Sequence, residues 1–115
     1  MQPISRYRFG ELVDEALDRL PPELARLLDN VVVQVRDRNE QEPSLLGLYT
    51  GIALTERGHD YTFAAPDVIA IYRLAICDVC RSEEQVAQEI AVTVAHEIGH
   101  YFGISEERLH ELGWG

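Results

Sequence analysis

The sequence predicts an α+β fold, and three observations predict it. Apolar residues recur at helical spacing near both ends of the 115-residue chain. Runs rich in β-branched residues fill its middle. The resulting order of two helices, three strands and two helices keeps the element types apart along the chain, which packs helices on a small sheet rather than winding a βαβ unit.

FGELVDEALDRLPPELARLL divides into two helical pieces. Leu12, Val13, Ala16, Leu17 and Leu20 follow helical periodicity. Pro21 ends the first piece, because proline disfavours helical geometry in the residue before it. Pro22 suits the first turn of a second helix, and Glu23 is favourable near its positive end. Leu24, Leu27 and Leu28 give that helix an apolar side.

NVVVQVRD, Asn30 to Asp37, reads as a strand, and RNEQEPS as a loop. LLGLYTGIALT, Leu45 to Thr55, is a second extended segment, with Gly47 and Gly51 as bulges or points of close approach. ERGHDY is turn-like. PDVIAIYRLAI, Pro66 to Ile76, is a third strand, strongest over Val68 to Tyr72. SEEQVAQEIAVTVAHEIGHYFG is a long helix. Ser82 caps it and Gln85 completes a capping box. Glu83 and Glu84 lie in the first turn, where the dipole favours them. Gly103 can take the left-handed conformation that ends a helix. ISEERLHEL restarts at Ser105 as a short terminal helix.

Length and composition predict one domain over residues 1–115, with 46% hydrophobic residues to fill a modest core. The net charge of −10 argues against a nucleic-acid partner, whose phosphates it would repel. No apolar run is long enough to span a bilayer, so no membrane partner is expected. MQPISRYRFG lacks the apolar middle of a signal peptide, which points to a cytoplasmic protein. The sequence is silent on oligomeric state. Cys77 and Cys80 form CDVC, but there is no second pair for a four-ligand zinc site and no thioredoxin-like context. Two reduced thiols at a strand-to-helix junction are expected, with a disulfide or stray metal contact as the alternatives.

The chemistry concentrates in TVAHEIGHYFGISEERLHELGW, which holds three of the four histidines. His96 and His100 are four apart, so they share one helix face about 5–6 Å apart at Cβ. Two imidazoles so placed reach one zinc ion, at about 2.0–2.1 Å each. Glu97 points to the side, where it reaches a water without binding the metal. That is the division of labour of the HExxH motif. Val86, Ile90, Val94 and Ile98 form a separate i, i+4 stripe for the core. Gly99 costs about 1 kcal/mol of helix propensity relative to alanine, which marks a close approach.

A catalytic zinc takes three protein ligands and leaves a position for water. Gly103 reverses the chain and brings residue 106 back, so Glu106 is the first candidate for the third ligand. His110, one turn further on the same face, is the alternative, and Glu107 is a third choice. Each also has a plain reading: Glu106 as a dipole-favoured acid after Ser105, His110 as a solvent-facing residue or one holding a ligand carboxylate in place.

The motif, the glycine after it and the GISEERLHELGW tail resemble the zincin-like metallopeptidases, and more closely a small bacterial family of minimal zincin-like proteins. LLGLYTGIALTERG and PDVIAIYR extend the resemblance over most of the chain. It implies a short twisted sheet, mostly of three strands, with N-terminal helices, an active-site helix and a short C-terminal helix. The metal histidines fall on His96 and His100 and the general base on Glu97. The methionine turn of the metzincins is absent, because Met1 is the only methionine, and Glu106 stands where they carry a histidine. The resemblance also implies peptide binding along an edge strand, for which Asp67 to Arg73 or Leu48 to Leu54 are the candidates. Tyr49, His59, Tyr72 and Tyr101 are the available oxyanion donors.

Three functions follow. One is a zinc-dependent peptidase acting on peptides or unfolded segments of proteins. The second is a catalytically weak metal- or peptide-binding module on the same fold. The third is a structural zinc site closed by His96, His100, Glu106 and His110.

Overall fold

The computed structural model describes residues 1–20, 22–28, 31–51 and 67–111. The elements are α1 (Arg6–Asp18), α2 (Pro22–Leu27), β1 (Val31–Arg36), β2 (Gly47–Thr50), β3 (Asp67–Tyr72), α3 (Arg73–Asp78), α4 (Glu83–Tyr101) and α5 (Glu106–Glu111). The class is α+β, as the order of periodicities predicts.

The strands form one mixed sheet in the order β1-β3-β2, with β3 parallel to β1 and antiparallel to β2. The near-continuous apolar run of β3 suits this central place, since both its edges are paired and five of its six residues are buried. Asp67 to Arg73 is therefore no free edge, and of the two segments expected to offer one, β2 is at the margin of the sheet among the described residues. Register aligns Val33 with Ile69 and Tyr49 with Ile69, so alternate residues of all three strands face the helices.

The core lies between that face and helices α1 and α4. Val86 and Ile90 are 0% exposed and Val94 and Ile98 1%, which places the predicted stripe of α4 wholly inside. Phe9, Leu12 and Val13 of α1 meet it, with Ile69, Ile71 and Ile76. Each such side chain contributes about 1.5–3 kcal/mol of transfer free energy.

The third strand stops at Tyr72, short of the predicted Ile76, and Arg73–Asp78 turns into α3. The physical reason lies in its neighbours. The Tyr72 N–H still pairs with Leu46 O (2.9 Å), but the Leu74 N–H goes to Asp37 O (3.0 Å), beyond the end of β1. With no ladder to join, the apolar residues Ala75, Ile76 and Cys77 bury themselves as a helix instead. A short apolar run carries no period that distinguishes the two. Cys77 and Cys80 consequently lie at a junction between two helices. Both are free thiols buried in the core, and burial pushes the Cys80 thiol up.

The helix ends follow the predicted chemistry. Ser82 Oγ accepts from the Gln85 N–H (3.2 Å), while Gln85 Oε1 accepts from the Arg81 N–H (2.7 Å) rather than from Ser82 itself. At the other end Gly103 has φ +74°, and the Gly103 and Ile104 N–H groups reach back to His100 O (3.0 Å) and Gly99 O (2.9 Å). This double bond pattern reverses the chain and delivers α5 to the end of α4. Among the described residues no helix is long and apolar enough to cross a membrane. The segments Ile52 to Thr55 and ERGHDY, His59 included, lie outside the described residues.

Candidate metal centre

The last two turns of α4 carry His96, Glu97 and His100. The imidazoles stand one turn apart with ring centroids 4.8 Å from each other and planes 71° apart. Their Nε2 atoms are 3.1 Å apart. The chain reversal at Gly103 makes Glu106 the first residue of α5, and its Oε1 lies 3.1 Å from His96 Nε2 and 2.8 Å from His100 Nε2. Three ligand-type atoms thus form a triangle with edges of 2.8–3.1 Å. A tetrahedral ion with bonds of 2.0–2.1 Å spaces its ligands at about 3.3–3.4 Å. The triangle is close to that size, so the donor set fits a metal ion with little movement.

His96 and His100 are partly exposed and Glu106 is two-thirds exposed, so the triangle is open to solvent. His110 is exposed on α5, and no hydrogen bond or ion pair joins it to the histidine pair among the described residues. Glu107 is exposed in the same turn and has no such contact there either.

Glu97 differs from these. It is 7% exposed. Its Oε1 accepts a 2.9 Å hydrogen bond from the Tyr49 N–H. The register explains why that donor is available. Leu46, Leu48 and Thr50 point their main-chain groups at β3, so those of Tyr49 point away from it, toward α4. Gly47 allows the strand to come this near. A Cβ on Gly47 would stand 2.6 Å from Thr93 Cγ2 and 3.4 Å from Glu97 Cγ. Close approach, one of the two expectations for this glycine, is the one realised. Gly51, with φ +152°, has the Asp67 side chain where a Cβ would be. Burial pushes the Glu97 carboxyl above the usual carboxylate range, against the opposing pull of His100, His96 and the Tyr49 N–H. Its ligand-type oxygen lies within 4.8 Å of a ring nitrogen of each histidine.

The described tyrosines divide. Tyr72 is on the opposite face of the sheet, its hydroxyl accepting from Asn39 Nδ2 (2.9 Å). The Tyr49 hydroxyl donates to Asp67 Oδ2 (2.9 Å), and Tyr101 is buried with its ring against Tyr49 and Phe102. Sequence reasoning missed the Tyr49 N–H as the partner of Glu97, because a main-chain donor has no residue-type signature.

The profile of the zincin-like metallopeptidases matches residues 28–114. The chain belongs to that family. This zincin-like protein also shares its fold with a conserved hypothetical protein from Thermo thermophilus, at a TM-score of 0.60 and 24% identity, over 95% of this chain and 97% of that one. No curated protein matches it. The family and the His96–Glu97–His100 cluster together point to a metal at this place.

Proposed function

We propose that the chain is a zinc-dependent metallopeptidase that hydrolyses peptide bonds, with His96, His100 and Glu106 as the metal ligands and Glu97 as general base. The observation that carries the reading is the triangle of His96 Nε2, His100 Nε2 and Glu106 Oε1 beside a buried carboxylate held by the Tyr49 N–H. When bound, zinc supplies Lewis acidity that brings the pKa of a water near 7.

The chain's own residues supply the rest. Glu97 takes a proton from the attacking water and returns it to the departing amine. Burial raises its proton affinity, which favours taking up that proton. The Tyr49 hydrogen bond holds the carboxylate in place through Oε1. On β2 the Tyr49 N–H is taken by Glu97, and the main-chain groups of Gly47, also turned away from β3, suit an extended peptide. Glu106 reaches both histidine nitrogens while His110 makes no such contact among the described residues, which supports three ligands rather than a closed set of four.

Zinc titration and a peptide-library assay test this. The wild-type chain and Glu97→Gln bind zinc alike, while Glu97→Gln loses about 10²–10⁴ of the hydrolysis rate. Glu106→Ala loses most of the zinc affinity and His110→Ala little. A wild-type chain that binds no zinc, or a Glu97→Gln chain that still cuts peptides, overturns the reading. Zinc binding without any hydrolysis would instead favour the catalytically weak module.

A further inference from the structure

The candidate site opens N-terminally along α4 into a cleft of about 350 Å³, a size that holds a side chain. His96 and Glu97 line one end of it. Its walls are α4 and the segment that leads into β2. Leu45, Leu46 and Val92 supply apolar surface, and Glu42 and Glu89 supply carboxylates. Neither carboxylate takes part in an ion pair among the described residues, and no arginine lines the cleft there.

A second feature calls for a ligand here. Thr93 also lines the cleft and is only 6% exposed, yet its hydroxyl makes no hydrogen bond among the described residues. A buried hydroxyl without a partner is uncommon and marks a place for a polar group from outside. Glu89, Thr93 and Glu97 are spaced four apart, so they run down one face of the helix toward the base. From Glu89 to His96 the helix rises roughly 10 Å.

We infer that this cleft is a specificity subsite for a lysine or arginine side chain of the substrate. The inference rests on the peptidase reading of the neighbouring site. Long basic side chains lay an aliphatic stem on apolar surface and keep the charged head in water. Here the stem lies on Leu45, Leu46 and Val92, Thr93 Oγ1 meets a polar group of the bound residue, and the cation reaches Glu42 and Glu89. The net charge of −10 works the same way at longer range, drawing basic peptides toward the chain.

The test reads binding, so it stands whether or not bonds are cut. Capped Ala-Ala-Lys-Ala-Ala is titrated into the zinc-loaded Glu97→Gln chain, followed by the backbone amide signals of Leu45, Leu46 and Val92. The comparison peptide carries norleucine, which keeps the stem and lacks the amine. Two ion pairs of this exposure predict about a fivefold preference for lysine. The preference shrinks between about 0.01 M and 1 M salt, as the Debye length falls. It disappears in Glu42→Gln/Glu89→Gln and persists in Glu15→Gln/Glu84→Gln, which loses the same charge elsewhere. Equal affinity for the two peptides, a lysine preference that survives Glu42→Gln/Glu89→Gln, or no shift of these amides by either peptide overturns the inference. A lysine preference in a chain whose wild type hydrolyses neither peptide keeps the subsite and sinks the peptidase reading.

Discussion

The face of α4 that carries Val86, Ile90, Val94 and Ile98 differs from the face that carries Glu89, Thr93, His96, Glu97 and His100 in what it asks of its neighbours. The first needs only to be covered, and α1 and the sheet cover it to 1% exposure or less. The second holds a carboxyl at 7% exposure, a threonine at 6% without a hydrogen-bond partner among the described residues and two imidazoles with nitrogens 3.1 Å apart. Burial alone would select against each of these. One helix therefore does two jobs, and stability resides on the first face while the chemistry resides on the second.

Three substitutions break or sharpen that division. The largest effect belongs to Ile90→Ala on the core face. It removes a side chain that is 0% exposed and lowers unfolding free energy by about 2–5 kcal/mol in denaturant titrations. Zinc affinity of the folded variant stays near wild type, and a large loss would show that the two faces are coupled.

Gly47→Ala acts from across the cleft. The new Cβ meets Thr93 Cγ2 at 2.6 Å and Ala70 O at 3.2 Å, and neither a β-branched side chain nor a strand carbonyl yields easily. A loss of about 1–3 kcal/mol is expected. Because the strand must move off α4, the Tyr49 bond to Glu97 lengthens and hydrolysis falls by more than the stability loss explains. Unchanged turnover in this variant would remove β2 from the positioning of Glu97.

The smallest effect lies away from both faces, at the Asp37 ion pairs with Arg6 (2.7 Å) and Arg73 (3.1 Å). Hydrogen bonds from Arg6 and then Arg73 hold the Asp37 carboxyl below the usual carboxylate range. A carboxyl with a depressed folded pKa adds stability above its unfolded value, about 3.9, and loses it as the pH falls through the folded value. Asp37→Asn should lower stability slightly at neutral pH and flatten the wild-type decline below about pH 4. A variant with the same acid limb as wild type would show that the pairs contribute nothing.

Much of this was legible in the residues. The i, i+4 stripe named the buried face of α4, because a helix turns the same side to its neighbour every 3.6 residues. Ser82 and Gly103 named its two ends, because caps are local hydrogen-bond chemistry that needs no distant partner. Through Gly103 the sequence also put Glu106 within reach of the histidines.

What the residues could not name depends on chain segments far apart. Whether Arg73 to Ile76 continued as strand turned on where β1 and β2 ended, and an apolar run fits a ladder or a helix equally well. That β3 is central and β2 marginal among the described strands is a matter of pairing order, which no strand encodes by itself. The Tyr49 N–H came to Glu97 across 48 positions, and Glu42, Leu45 and Leu46 came to the flank of Glu89 and Thr93 by the same approach of β2 to α4. The sequence by itself determined the helices near both termini and α4, the ends of α4 and the HExxH group, because those rest on contacts within a few residues. Only the tertiary structure decided what faces that group, because the approach of a strand backbone to a helix is set by the packing of the whole sheet.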